Sequence, residues 1–245
     1  MTEVQEKREK RGKPAGAGTM AAAGFLLAWA AILFALAAAI RGIAGNGDLL
    51  AREMLRHAPP ETTGLPETEY AGVGRMTAAW LTGREGTFQY VFTDAEGTSR
   101  VCFQPHEAAH MEDCRELIRL AERIRWIAGG AALALAGAAA LRRRDRKRFA
   151  GGILRGLAAA GAGLGALLIW GLIDFDGLFV TFHRVAFTGD GWLLDARTDL
   201  LLRLMPTRFF ISLGMRVLAW TAGAACALAC VAAAVRAAGR VKREK

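Results

Sequence analysis

Apolar residues in this chain gather into four blocks, and the polar residues collect between them. An α-helix rises about 1.5 Å per residue, so a bilayer crossing takes roughly 20 mostly apolar residues. Met20 to Ile40 meets that length, with Arg41 able to snorkel at its end. Trp126 to Leu141 is shorter, and Ile124 with the flanking Arg123 and Arg125 extends it into the headgroup layer. Phe149 to Ile173 qualifies, with Arg155 near one end, and so does Phe209 to Val235, although Arg216 lies two turns inside it. The pattern predicts a mainly α membrane protein with four transmembrane helices, at 19–43, 124–141, 149–173 and 208–235. A small α+β cap domain outside the cytoplasm completes the fold class.

The segments between the blocks carry shorter periodicities. Residues 44–123 form the predicted cap. Asp48 is placed to cap a helix over LLAREMLRH, and a Pro- and Thr-rich loop, APPETTGLPETEY, follows. Thr87 to Phe92 and Thr98 to Phe103 alternate and are β-rich, and the DAEG between them supplies the turn of a hairpin. Pro105 suits the first turn of a helix, which then runs straight into span two. Residues 174–207 read as an outward loop in which Asp195 caps a helix over ARTDLLLRLM and Pro206 ends it.

Charge fixes the expected orientation. The net charge is +9 over 245 residues. Its basic clusters lie in the tail 1–18 (Lys7, Arg8, Lys10, Arg11, Lys13), the loop 142–148 (RRRDRKR) and the tail 236–245 (Arg236, Arg240, Lys242, Arg243, Lys245). All three fall on one side of a four-span topology, which predicts a multi-pass plasma-membrane protein with both termini cytoplasmic. The clusters carry no interleaved aromatics and hug the spans, so nucleic acid is not the expected partner. The first apolar block exceeds a signal-peptide core of about 7–15 residues, and cleavage at AIRGIAG would leave an odd number of spans. Arg155 and Arg216 alone within the spans offer no ion pathway. Cys226 and Cys230 read as small packing residues in span four, while Cys102 and Cys114 face outward and are able to pair as a disulfide.

Candidate chemistry concentrates on the outer side. HEAAH, His106 to His110, matches the H-E-x-x-H helix motif in which two histidines bind zinc and the glutamate is general base. His110, Asp113 and Cys114 share one helix face, so Asp113 is placed to orient the His110 ring. His183 sits among Phe175, Phe179, Phe182, Phe187 and Trp192, flanked by Asp174, Asp176, Asp195 and Asp199. Two histidines on one membrane face suit a general base and a general acid, since free imidazole titrates near pH 6.5. Three readings stand open at this point: a histidine-pair enzyme, a zinc-dependent membrane hydrolase on His106, Glu107 and His110, and a non-enzymatic membrane sensor binding lipid or haem. Structurally the aromatic segment also reads as an interfacial loop anchored in the headgroups.

The same residues carry a resemblance. The segment FDGLFVTFHRVAFTGDGWLLDARTDLLLRLMPTRFF is similar to the signature of the lipoprotein intramolecular transacylase (Lit) family of bacterial membrane proteins. That signature has the sense F-D-x-x-F-x-x-F-H-x-x-x-F, then W-x-x-D-x-x-x-D-x-L, then M-P and a Phe pair, and every position is filled. A second motif, E-x-x-H-M-x-D-V, is matched by Glu107, His110, Met111 and Asp113, with Cys114 in place of the Val. One departure is Thr207, where the family carries an acid after the Pro. The resemblance implies an acyltransferase without a cofactor, working among membrane lipids on a diacylglyceryl lipoprotein. It would move the sn-2 acyl chain to the α-amino group of the lipoprotein's N-terminal cysteine. On that reading His110 and His183 are the catalytic pair, in an order the residues leave open. Glu107, Asp113, Asp176, Arg184, Trp192, Asp195 and Asp199 support them, the last two acids shaping the loop or pairing with Arg184 or Arg203. Phe175, Phe179, Phe182 and Phe187, with the Gly-rich third span, would wall a groove for acyl chains.

Overall fold

The computed structural model of the chain describes residues 17–94, 96–142 and 145–241. The basic residues Lys7 to Lys13, Arg143, Arg144 and Lys242 to Lys245, and Ala95 of the predicted turn, lie outside the described residues. Four long apolar helices match the four blocks of the sequence: α1 (Ala17–Ala44), α5 (Pro105–Leu141), α6 (Arg146–Ile173) and α9 (Thr207–Val241). As expected, α5 is one continuous helix from Pro105 through the second apolar block. The chain divides into two compact units, residues 1–35, 126–166 and 222–245 in one, residues 36–125 and 167–221 in the other.

In the first unit the cluster is Leu27, Ala28, Ala150, Ile153 and Ala232. Here α1 and α6 touch backbone to backbone. A Cβ on Gly24 would lie 2.0 Å from the Phe149 carbonyl oxygen, and one on Gly152 would lie 2.0 Å from that of Ala21. Such approach is available only to glycine, and without water to drive association it is the source of helix–helix attraction in a bilayer. The packing face therefore lies at the start of α6 rather than along its whole Gly-rich run. Gly156 meets Ala28, whereas Gly161, Gly163 and Gly165 have nothing within 4 Å. Cys226 and Cys230 are exposed on α9, so they are not the packing residues their spacing suggested.

The second unit is built on α2 (Gly47–His57), α3 (Pro60–Thr63), a 3₁₀ turn (Glu67–Glu69), α4 (Tyr70–Leu81), β1 (Val91–Thr93), β2 (Ser99–Val101), α7 (Phe175–Ala186) and α8 (Leu200–Leu204). Its core contains Leu50, Met54, Tyr70, Val73, Trp80, Phe103, Met111, Leu204 and Phe209. Asn46, not Asp48, caps α2: its side-chain oxygen accepts the Leu49 N–H at 3.0 Å, while Asp48 sits in the first turn. The Tyr70 hydroxyl donates to the Ala58 carbonyl and contacts Thr63 at 2.7 Å, which pins the Pro-rich connection onto α4, a helix the composition of that segment did not advertise.

The hairpin forms, but shorter than its alternation predicts. Only Val91↔Val101, Phe92↔Arg100 and Thr93↔Ser99 pair. Beyond them one more backbone bond forms, from the Cys102 N–H to the Tyr90 carbonyl at 2.9 Å, and the Gln89 side chain then takes over, donating to the Phe103 carbonyl at 2.7 Å and accepting the Phe103 N–H at 3.1 Å. Asp94 organises the turn by accepting the N–H groups of Glu96 and Thr98, and Gly97 takes a positive φ of 80°. Cys102 and Cys114 are free thiols, so the possible disulfide is absent.

Candidate functional site

The second unit explains the charge inside the fourth apolar block. Glu53 of α2 is buried at 3 % exposure, and Arg216 of α9 donates to it at 2.7 Å. The Ser212 hydroxyl donates to the same carboxylate at 2.6 Å. Burial pushes the Glu53 carboxyl up, but the Ser212 and Arg216 hydrogen bonds outweigh that and hold it below the ordinary carboxylate range. The arginine within a span was the signal that a buried acid had to exist; its identity was not readable.

The first turns of α5 are held by Glu107, which is wholly buried. Its carboxylate accepts two backbone N–H groups, from Gln104 at 2.7 Å and from Leu201 at 2.7 Å. One side chain thus satisfies one orphan donor at the start of each of α5 and α8. His110 follows three positions later, on the same helical face, and is buried at 8 %.

The segment predicted as an outward loop begins instead with helix α7. Asp174 caps it by accepting the Gly177 N–H at 2.8 Å, and the run FDGLFVTFHRVA then buries a single residue, His183. The His183 Nδ1–H donates to the Phe179 carbonyl at 2.7 Å. In the neutral ring this hydrogen bond puts the proton on Nδ1 and leaves the lone pair on Nε2. Burial pushes the His183 imidazole below its usual value, and the bond to Phe179 offsets only part of that.

The two histidines come together. Their ring centroids are 6.1 Å apart with 28° between the planes. Phe187 lies 5.2 Å from each, edge-on to His110. Phe179, Phe182 and Trp192 stand 4.1, 5.4 and 5.2 Å from His183, and Phe175 stacks on Phe179 at 6.0 Å. Cys114 Sγ is 3.6 Å from His110 Nε2, and His110 Nδ1 is buried without a hydrogen-bond partner. A buried polar nitrogen without a partner is costly unless something polar binds there. Chemically the arrangement is a neutral base with a defined tautomer beside a second imidazole, inside an aromatic enclosure whose rim, Phe182, Val185 and Leu193, is exposed.

The predicted supporting residues distribute unevenly. Trp192 and the four phenylalanines belong to this cluster, whereas Asp113 is exposed and forms no hydrogen bond with His110. Asp195 pairs with Arg197, and Asp199 with His106 at 3.0 Å, in place of the expected Arg184 or Arg203. Asp199 also accepts the Asp195 N–H and the Thr198 hydroxyl, each at 2.8 Å, and so closes the loop before α8. Arg203 instead donates to the carbonyls of Asp199 and Thr63. Arg184 is exposed and has no ion-pair partner among the described residues. Thr207 donates to Asp176 at 3.3 Å, so the acid on this corner comes from α7.

This geometry does not fit the HEAAH zinc reading. His106 is committed to Asp199, and both oxygens of Glu107 are occupied by backbone donors. Among the described residues no three His, Cys, Asp or Glu side chains converge as a metal site.

Comparison with known proteins agrees with the resemblance in the motifs. The family model described as lipoprotein intramolecular transacylase Lit matches residues 25–210. Among solved structures, the membrane integral lipoprotein intramolecular transacylase Lit from Bacillus cereus superposes with a TM-score of 0.73 at 15% identity, covering 89% of this chain and 96% of that one. A variant of the Bacillus cereus protein with one histidine replaced by arginine gives a TM-score of 0.69 at 16% identity, covering 98% and 100%. A variant with a histidine replaced by alanine gives 0.69 at 15%, covering 89% and 94%. No protein of curated function matches the chain by sequence.

Proposed function

Because this chain belongs to the lipoprotein intramolecular transacylase (Lit) family, an acyltransferase family of bacterial membrane proteins, we propose that it moves the sn-2 acyl chain of a diacylglyceryl lipoprotein onto the α-amino group of that lipoprotein's N-terminal cysteine. The product is an N-acyl lipoprotein with a lyso-glyceryl group. The observation that carries the mechanism is the enclosure of His110 and His183 at a 6.1 Å ring separation.

The reaction needs a base and an acid. An α-amino group has a pKa of about 8, so near neutral pH most of it is protonated and cannot attack. In this proposal His183 Nε2, whose lone pair is left available by the bond from Nδ1–H to Phe179, takes a proton from the ammonium as the nitrogen attacks the ester carbonyl. His110, whose Nδ1 lacks a partner, takes the second proton from the attacking nitrogen and delivers it to the departing glyceryl oxygen as the C–O bond breaks, while the first proton stays on His183 until it is released to solvent. Nucleophile and ester sit on one molecule, so holding them close supplies much of the rate and no acyl-enzyme is required. Phe175, Phe179, Phe182, Phe187 and Trp192 are proposed to wall the acyl chain, while Glu107 and Asp199 position the elements around His110.

In this reading both termini and the loop 142–148 are cytoplasmic, and the cap 44–123 and the segment 174–207 lie outside. The basic residues at the helix ends support it. The test is expression of His110→Ala and His183→Ala in a strain lacking its own N-acylating activity, with lipoprotein N-termini read by mass spectrometry. Loss of the lyso form in both is expected; wild-type production by either removes that residue from the mechanism.

A further inference from the structure

Far from the histidine pair in sequence, the first unit holds a cleft of about 580 Å³ lined by four cations: Lys147, Arg148 and Arg155 of α6 and Arg236 of α9. Ala21 of α1 and Leu154 form part of its apolar wall. The positions 148, 151 and 155 repeat at helical spacing, so the charges and Gly151 face one way, and a Cβ at Gly151 would meet nothing within 4 Å. The described acid nearby is Asp145, which is held by Arg148 at 2.9 Å.

Topology alone does not account for this arrangement. The positive-inside pattern asks only for basic residues beside the spans. Arg155 lies seven residues beyond Arg148, about 10 Å further along the helix, well past the loop. An arginine at that depth requires a polar or anionic partner. Its described hydrogen bond is one from Nε to the Gly151 carbonyl at 3.3 Å, so the guanidinium fork has capacity left for a second acceptor.

We propose that this cleft binds the phosphate headgroup of an anionic glycerophospholipid, with Arg155 and Arg236 holding the phosphate and Leu154 and Ala21 against the first part of the acyl chains. Basic pockets between helices are suited to such headgroups. The acyl-transfer substrate carries no phosphate in its diacylglyceryl group, so this site is separate from the transfer site in chemistry as well as in position along the chain. A resident lipid here stabilises the helix ends by mass action.

The experiment uses the full chain in phosphatidylcholine nanodiscs, titrated with phosphatidylglycerol and followed by native mass spectrometry of retained lipid. Parallel arms receive inorganic phosphate or glycerol 1-phosphate. The double variant Arg155→Gln with Arg236→Gln is expected to bind phosphatidylglycerol about thirtyfold more weakly, the loss that two cations beside a headgroup produce. The pair Arg142→Gln with Arg146→Gln removes the same charge from exposed positions that do not line the cleft, and is expected to bind as wild type. The Lys/Lys version of the first pair is expected to retain most binding, which keeps the test sound should the Gln pair fold poorly. Equal loss in both Gln pairs would overturn the proposal in favour of general charge. Full saturation by inorganic phosphate or glycerol 1-phosphate would overturn the lipid assignment, and equal retention of phosphatidylcholine would overturn the anion requirement.

Discussion

Glu107 and Leu201 stand 94 positions apart, and the carboxylate of the first accepts the backbone N–H of the second at 2.7 Å. The second oxygen of that carboxylate accepts the Gln104 N–H, so removing it leaves one buried and one part-buried donor without partners. Glu107→Ala is therefore expected to cost about 2–6 kcal/mol, at roughly 1–3 for each orphaned group. Glu107→Gln keeps one acceptor and is expected to cost less than the Ala variant. Unfolding midpoints in detergent check both, and an unchanged midpoint for the Ala variant would remove Glu107 from the scaffold.

His110→Ala and His183→Ala are each expected to lower the rate of acyl transfer about 10²- to 10⁴-fold, the usual contribution of a positioned acid or base. Unfolding midpoints of the two variants, recorded alongside, separate lost chemistry from lost folding. A rate within tenfold of wild type for His183→Ala would assign the base elsewhere.

The depressed titration of His183 sets the direction of the pH response. Its folded value lies below its unfolded value near 6.5, so the ring stays neutral, and able to act as a base, to lower pH than a free histidine. The rate is expected to fall as pH drops through the folded value, with its midpoint below pH 6.5. By the same linkage, the stability that His183 contributes is complete above the unfolded value and is lost as pH falls through the folded one. A rate profile measured from pH 4.5 to 8 checks this; half-loss at or above pH 6.5 would contradict it.

The Glu53–Arg216 pair predicts an inversion of the usual order of double and single variants. Arg216→Met leaves Glu53 buried and uncompensated and is expected to cost about 2 kcal/mol, less than the roughly 3–5 of a fully enclosed pair because Arg216 is 44% exposed. Glu53→Met with Arg216→Met is expected to be more stable than Arg216→Met alone. Thermal unfolding of the three proteins tests it.

Glycine substitutions map the contact between α1 and α6. Gly24→Ala and Gly152→Ala drive a methyl into facing backbone and are expected to cost about 1–3 kcal/mol each. Gly161→Ala points into open space and is expected to be neutral or to gain up to about 1 kcal/mol of helix stability. Equal behaviour at all three sites would contradict the packing.

What the sequence determined by itself were the features set by local composition. The four long helices follow from runs of apolar residues, because an unpaired backbone in hydrocarbon is too costly for any other open form. The motif residues Glu107, His110, His183 and Trp192 were legible as a group because their spacing carries the family's signature over much of residues 25–210. Tertiary structure decided which of these side chains meet. The local pattern pointed the wrong way: Asp113 lies three positions after His110 yet is exposed on α5, whereas Asp199, far from any histidine in sequence, is buried against His106. The same holds for Asn46 over Asp48 as the cap of α2, where two equally good capping residues lie two positions apart. His110 and His183 share no sequence neighbourhood at all. Their meeting depends on α5 and α7 being fixed by caps and buried hydrogen bonds from other parts of the chain, and such long-range terms exist only once the chain has folded.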